Sequence, residues 1–125
     1  MPIARILLAE DSPTTRSMVV SALELIGDIE VVPTSSGFEA LKTLPRFKFD
    51  LIITDVNMPD INGLELVSFV KHNPMYRHIP VIIITSETGE KDEARGRALG
   101  AAEYVHKPLN PDTLQQVIRR YIRVD

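Results

Sequence analysis

Residues 51–60 read LIITDVNMPD. Leu51, Ile52 and Ile53 are apolar on successive positions. That is the pattern of a strand covered on both faces, not of one with a wet side. The run then meets Thr54 and the carboxylate of Asp55, and Asn57, Met58 and Pro59 follow. A buried strand that ends in a charge fixes two expectations. The strand belongs to a parallel sheet, and its carboxyl end faces something that needs the charge.

The rest of the chain repeats the pattern. Strand-like runs occupy Ala4–Ala9, Glu30–Thr34, Asp50–Thr54, Pro80–Thr85 and Glu103–His106. Helical spacing fills the gaps. Ser12 and Pro13 open the first helix as N-cap and first-turn proline. Met18, Val19, Ala22, Leu23 and Ile26 then share one stripe, and Gly27 ends it. Ser36 and Glu39 form a capping box before Ala40, Leu41 and Leu44. The third helix runs from about Gly63 to His72, with Leu64, Leu66, Val67 and Val70 as its apolar face. The fourth, roughly Lys91 to Leu99, is charged, weakly apolar and interrupted by Gly96. The fifth opens at Asn110-Pro111 and carries Leu114, Val117, Ile118, Tyr121 and Ile122.

Five strands alternating with five helices predict an α/β fold, a doubly wound parallel sheet with helices on both faces. Proline suits an edge strand, so Pro33 places the second strand at an edge and favours the order 2-1-3-4-5. The length of 125 residues is that of one domain, and the last helix runs almost to Asp125, so 1–125 is read as a single domain.

Composition narrows the function classes. Hydrophobic residues make up 44% and charged residues 25%, enough for a core without staples. There is no cysteine, which excludes a disulfide framework, a thiolate metal site and a cysteine nucleophile, and fits a cytoplasmic setting. The apolar run near Met1 is too short for a signal peptide, and Val81–Ile84 is far too short for membrane insertion. A net charge of −3 gives no general pull toward nucleic acid.

In such a sheet, ligands bind beyond the carboxyl ends of the strands. The first strand ends in Glu10-Asp11, the third in Asp55, the fourth in Thr85-Ser86-Glu87, and the fifth in His106-Lys107-Pro108. Each alone has a bland explanation: a cap, a turn residue, a loop lysine. Together they bring carboxylates, a hydroxyl and an ammonium to one edge. Clustered carboxylates raise one another's pKa. A hard divalent cation such as Mg²⁺ removes that conflict while keeping several waters. Lys107 and Thr85 can then meet phosphate oxygens. The set suits a transferring phosphoryl group.

These residues resemble the signature of the receiver domain of two-component response regulators. "DVNMPDINGLEL" and "GAAEYVHKPL" are similar to its two most recognisable stretches, and the likeness covers nearly the whole chain. It is nearest to stand-alone chemotaxis receivers of the CheY type. The resemblance implies a flavodoxin-like (βα)5 fold and a phosphoacceptor, Asp55, served by a sensor histidine kinase (CheA-like or other). It implies Mg²⁺, or Mn²⁺, held by Asp11, Asp55 and the main-chain carbonyl of Asn57, with Glu10 acting through water. It implies that Lys107 contacts the phosphoryl group, that Thr85 turns toward it, and that Tyr104 swings inward with Thr85. The helix 4–strand 5–helix 5 face would then meet a downstream protein target. Asn57 and Glu87 would tune hydrolysis, giving autodephosphorylation and no other turnover. Two departures are mild: Glu10 stands where Asp is commoner, and Ile61 where glycine is frequent.

Gly89 and Gly96 suggest a soft fourth helix, although both could simply cap and pack. His72, His78 and His106 have no metal-ligand spacing. Arg119, Arg120 and Arg123 read as a solvated face or an aid to an acidic partner, and Met18, Met58 and Met75 as packing residues. An aspartate-nucleophile phosphatase is disfavoured, because Asn57 stands where that class needs a general acid. A flavin module is disfavoured, because Glu10 and Asp11 would repel its phosphate. A receiver cut from a larger regulator and a phosphorelay intermediate stay open, as does one that only scaffolds.

Overall fold

The computed structural model describes residues 4–86 and 90–122. Strands β1 (Ala4–Ala9), β2 (Ile29–Thr34), β3 (Leu51–Asp55), β4 (Val81–Thr85) and β5 (Glu103–His106) alternate with helices. These are α1 (Pro13–Glu24), α2 (Gly37–Thr43), α3 (Gly63–His72), α4 (Glu90–Leu99) and α5 (Pro111–Arg119). All strand pairs are parallel and the order is β2-β1-β3-β4-β5, with Pro33 on an edge strand as its missing N–H requires. This is a flavodoxin-like doubly wound sheet.

Local chemistry sets the helix starts. The Ser12, Ser36 and Asn62 side chains accept the N–H groups of Thr15, Glu39 and Glu65, each three residues on. Asn110 Oδ1 accepts both the Asp112 and Thr113 N–H groups. These bonds satisfy donors that a first helical turn leaves orphaned.

Alternation along the strands divides the core in two. On one face Ile6, Leu8, Ile53 and Ile84 pack with Val19 and Leu23 of α1 and Leu114 and Ile118 of α5. On the other, Leu7, Ile52 and Ile83 pack with Leu66, Val67 and Val70 of α3 and with Tyr104. Both faces of the central strands are dry, which is why their sequences run apolar without alternation.

Some boundaries differ from the sequence expectation. β3 extends to include Asp55, and α2 gives way to a 3-10 turn at Leu44–Arg46. Ile26 and Ile122 lie beyond their helices yet are buried, so the apolar stripe reports packing more faithfully than helical extent. Met75 is a correction: it is 71% exposed and packs nothing away from water. Gly96 has a packing reason. A Cβ there would come 2.9 Å from Ile83 Cδ1 and 3.2 Å from Tyr104 Cε2, so the glycine lets α4 lie close on the sheet. Gly100 ends α4 at φ +113°, a conformation that only glycine adopts readily. Gly89 and Arg123 lie outside the described residues, and no helix among those described is long and apolar enough to cross a membrane.

Candidate functional site at the carboxyl edge of the sheet

Register delivers the acids to one place. Ala9 of β1 lies opposite Thr54 of β3, so Glu10 and Asp11 emerge beside Asp55. Carboxylate oxygens of Glu10, Asp11 and Asp55 all lie within 4.8 Å of one another. Glu10 is fully buried and Asp55 is buried, while Asp11 is exposed to solvent.

Lys107, at the end of β5, reaches across to two of them. Its Nζ stands 2.8 Å from Glu10 Oε1 and donates to Asp55 Oδ2 at 3.2 Å. Glu10 Oε1 is buried, and the Lys107 ammonium beside it offsets that burial. The second Glu10 oxygen accepts the Ser12 N–H at 3.1 Å, and Arg16 donates to the Glu10 carbonyl at 2.9 Å. Burial by itself would lower the Lys107 pKa. The Glu10 and Asp55 carboxylates outweigh it and hold that pKa above the ordinary lysine value. The ammonium is therefore intact throughout the neutral range. Asp11 is shifted the other way for an acid. Burial first, then the neighbouring Glu10 carboxyl by hydrogen bond and by charge, raise its pKa. The cluster is thus short of positive charge.

The remaining expected residues surround this core. Thr85 is fully buried at the end of β4, and its carbonyl accepts the Lys107 N–H at 2.7 Å. Thr85 lies opposite His106 and Ile83 opposite Tyr104, so strand alternation puts Thr85 and Tyr104 on one face of the sheet. Tyr104 is only 7% exposed, so its ring is already inward in this structure. Asn57 is exposed, two residues past Asp55, on the wall of an open cleft of about 550 Å³ between α3 and α4 that Glu65 and Arg95 also line. Glu87 lies outside the described residues.

Two contributors escaped the sequence reading. Gly63 packs its backbone on Asp55: a Cβ there would sit 2.1 Å from the Asp55 carbonyl oxygen, and its N–H donates to the Val56 carbonyl at 2.9 Å. Asp60 caps a different helix, accepting the Gly37 and Phe38 N–H groups of α2 at 3.1 and 2.9 Å. The N–H groups of Ile61 and then Phe38 hold its pKa below the ordinary value. The asparagine-glycine and proline-aspartate pairs in this loop were the available signal, but neither pair by itself points to a partner in another element.

Residues 6–119 match the response regulator receiver domain. The chain belongs to that family. This receiver is 33% identical over 113 residues to a Campylobacter jejuni chemotaxis protein CheY homolog, covering 90% of this chain and 87% of that one. The solved structure of Vibrio cholerae chemotaxis protein CheY4 superposes with a TM-score of 0.88 at 37% identity, covering 95% of this chain and 98% of the other. A probable cyclic di-GMP phosphodiesterase of Vibrio cholerae is 34% identical over 118 residues, 94% of this chain. The receiver spans only 26% of that larger protein. The chain is therefore a CheY-like receiver domain of the two-component type.

Replacing Gly63 with alanine forces a methyl group into the Asp55 carbonyl. Gly63→Ala is expected to cost about 2–3 kcal/mol in urea unfolding, the upper range for overpacking against backbone. An unchanged urea midpoint would remove Gly63 from the set of residues that position Asp55.

Proposed function

We propose that the receiver works as a phosphoacceptor switch, with Asp55 taking a phosphoryl group from a histidine kinase. The observation that carries this reading is the placement of Asp55 between Lys107 and the Glu10–Asp11 pair. In the transfer, an Asp55 carboxylate oxygen forms a bond to phosphorus as the phosphorus–nitrogen bond of a phosphohistidine breaks. The imidazole leaves with that electron pair and takes up a proton. Lys107, already on Asp55, stays as a point charge for the incoming oxygens.

The donor set suits Mg²⁺. Three carboxylates against one ammonium leave two negative charges, which a divalent cation would balance. Asp11, Asp55 and the Asn57 main-chain carbonyl would hold it. Glu10 has both oxygens engaged already, which supports a role through water. Bound there, the metal would supply charge neutralisation for the phosphoryl oxygens.

Phosphorylated Asp55 offers new acceptors, and the Thr85 hydroxyl turns to meet one. Thr85 shares a sheet face with Tyr104, whose ring lies against Gly96 of α4. A change at Thr85 therefore shifts the balance of packings on the α4–β5–α5 face, where a downstream protein would read it. Asn57 and Glu87 would position the water that hydrolyses the acyl phosphate, so that the only turnover is autodephosphorylation. Likeness to CheY proteins supports a chemotaxis role with a CheA-like kinase in the cytoplasm. The match inside a much longer regulator supports a second reading, a receiver that serves a multidomain chain or a relay.

Incubation with acetyl phosphate and Mg²⁺ should add one phosphoryl group to the intact mass. Chelator or Asp55→Asn should abolish the gain; a gain that survives Asp55→Asn would refute the assignment. In the absence of metal, Asp11→Asn relieves carboxylate repulsion and should raise the thermal midpoint, while erasing the further rise that Mg²⁺ gives the unsubstituted protein. An Asp11→Asn protein that Mg²⁺ still stabilises fully would remove Asp11 from the ligand set. Substituting Asn57 by arginine should change the phosphoryl lifetime severalfold, and an unchanged decay rate would exclude its tuning role.

A further inference from the structure

The opposite end of the sheet carries a groove that phosphoryl chemistry does not use. It has a volume of about 610 Å³ and runs between the α2–β3 and α3–β4 connections. Phe47, Phe49, Met75, Tyr76 and Ile79 give it an apolar floor and lip. Five large hydrophobic side chains are exposed among the described residues, and two of them, Phe47 and Met75, line this groove. A third, Phe69, stacks on the groove's Tyr76 with centroids 6.4 Å apart. Single exposed apolar residues are ordinary, but a cluster with aromatic and methionine character marks an interaction surface.

Its lining carries two cations against one carboxylate in a chain whose net charge is −3. Arg46 and Lys48 line the groove, both are exposed, and neither forms an ion pair among the described residues. The one carboxylate in the lining, Asp50, already accepts the Arg5 N–H at 2.9 Å. The lip is also built in advance. Asn73 Oδ1 accepts the Met75 N–H at 2.9 Å, and Phe47 is held edge-on to Phe49 and under the Arg5 guanidinium. A preformed apolar slot with an excess of positive charge and two cations free of ion pairs among the described residues suits a short segment that brings apolar anchors and carboxylates.

We propose that this groove docks an acidic peptide segment of a partner protein, with an aromatic or leucine anchor seated on Phe47, Tyr76 and Met75. The docking is separate from the switch face and from Asp55.

A blocked peptide with a Leu-Phe pair flanked by aspartates, titrated into isotope-labelled protein, tests this through amide shifts. Saturable shifts should cluster on residues 44–50 and 75–79. The paired substitution Arg46→Glu with Lys48→Glu should weaken binding by about tenfold or more, equivalent to about 1.4 kcal/mol, and so should Met75→Glu. All these side chains are exposed, and the amide spectrum itself reports whether each variant stays folded. A lysine-flanked version of the peptide should not bind. Absence of saturation at millimolar peptide, equal binding of the lysine-flanked peptide, or shifts centred on α4–β5–α5 would overturn the proposal. So would concentration-dependent self-association abolished by Met75→Glu, which assigns the groove to a second copy. Cosedimentation with anionic vesicles lost in Lys48→Glu would also overturn it, assigning the groove to a lipid surface.

Discussion

The carboxyl edge of the sheet carries an unbalanced charge. Glu10, Asp11 and Asp55 bring their oxygens within 4.8 Å, and among the described residues Lys107 is the one cation paired with them. Glu10 has no access to water, so the ammonium offsets its desolvation. The surplus negative charge falls on Asp11 and Asp55 at the mouth. Burial first, and then the Glu10 carboxyl, raise the pKa of Asp11. Under the proposed function, a divalent cation would offset this repulsion and leave the site able to take a phosphoryl group. Much of the remaining architecture serves to keep these four side chains from relaxing apart.

That restraint comes from the backbone. β1, β3, β4 and β5 are locked in register by parallel ladders with both faces buried. Lys107 is tied through its own N–H to the Thr85 carbonyl, so these two residues are joined by one bond between strand ends. Behind Asp55, α3 begins so close that only a glycine fits at residue 63. Asp60 then clips the intervening loop to α2. Asp55 thus ends a strand whose following loop is fastened to two helices, while on the other side Gly96 lets α4 pack closely against Tyr104.

What the sequence disclosed follows from the range of the interactions. Strand burial, helix stripes and N-caps are local patterns, so five strands, five helices and the edge placement of Pro33 were legible. The convergence of Glu10, Asp11, Asp55 and Lys107 was legible too, because the doubly wound topology maps strand ends onto one edge. Asp60 was not, since its partners Gly37 and Phe38 lie 23 and 22 residues away and a cap of that kind leaves no local spacing. Gly63 read as a helix start, because its contact with Asp55 depends on how closely two elements approach. Met75 read as a packing residue because methionine is apolar, yet it stands exposed in a loop where Asn73 accepts its N–H. The inward ring of Tyr104 is likewise a matter of packing, set by Gly96 and Ile83, with no counterpart in local sequence.

The two ends of the domain share α3. Its first residue abuts the Asp55 carbonyl. Near its last turn, Lys71 donates to the Arg77 and Ile79 carbonyls and so fixes the connection that carries Met75 and Tyr76. Burial lowers the Lys71 pKa, a mark of how far that ammonium has been drawn from water to make the tether. A helix of ten residues spans about 15 Å, and its buried face, Leu66, Val67 and Val70, is packed into the sheet. Such an element transmits displacement as a body, since a close-packed core does not deform continuously. Coupling between groove and phosphoacceptor would therefore require two positions of α3 that a groove ligand and a phosphoryl group prefer differently, and it would act equally in both directions. The tight seat of Gly63 on Asp55 argues for one position. On that ground the proposed docking in the groove would be attachment alone, and the proposed switching would rest with the α4–β5–α5 face.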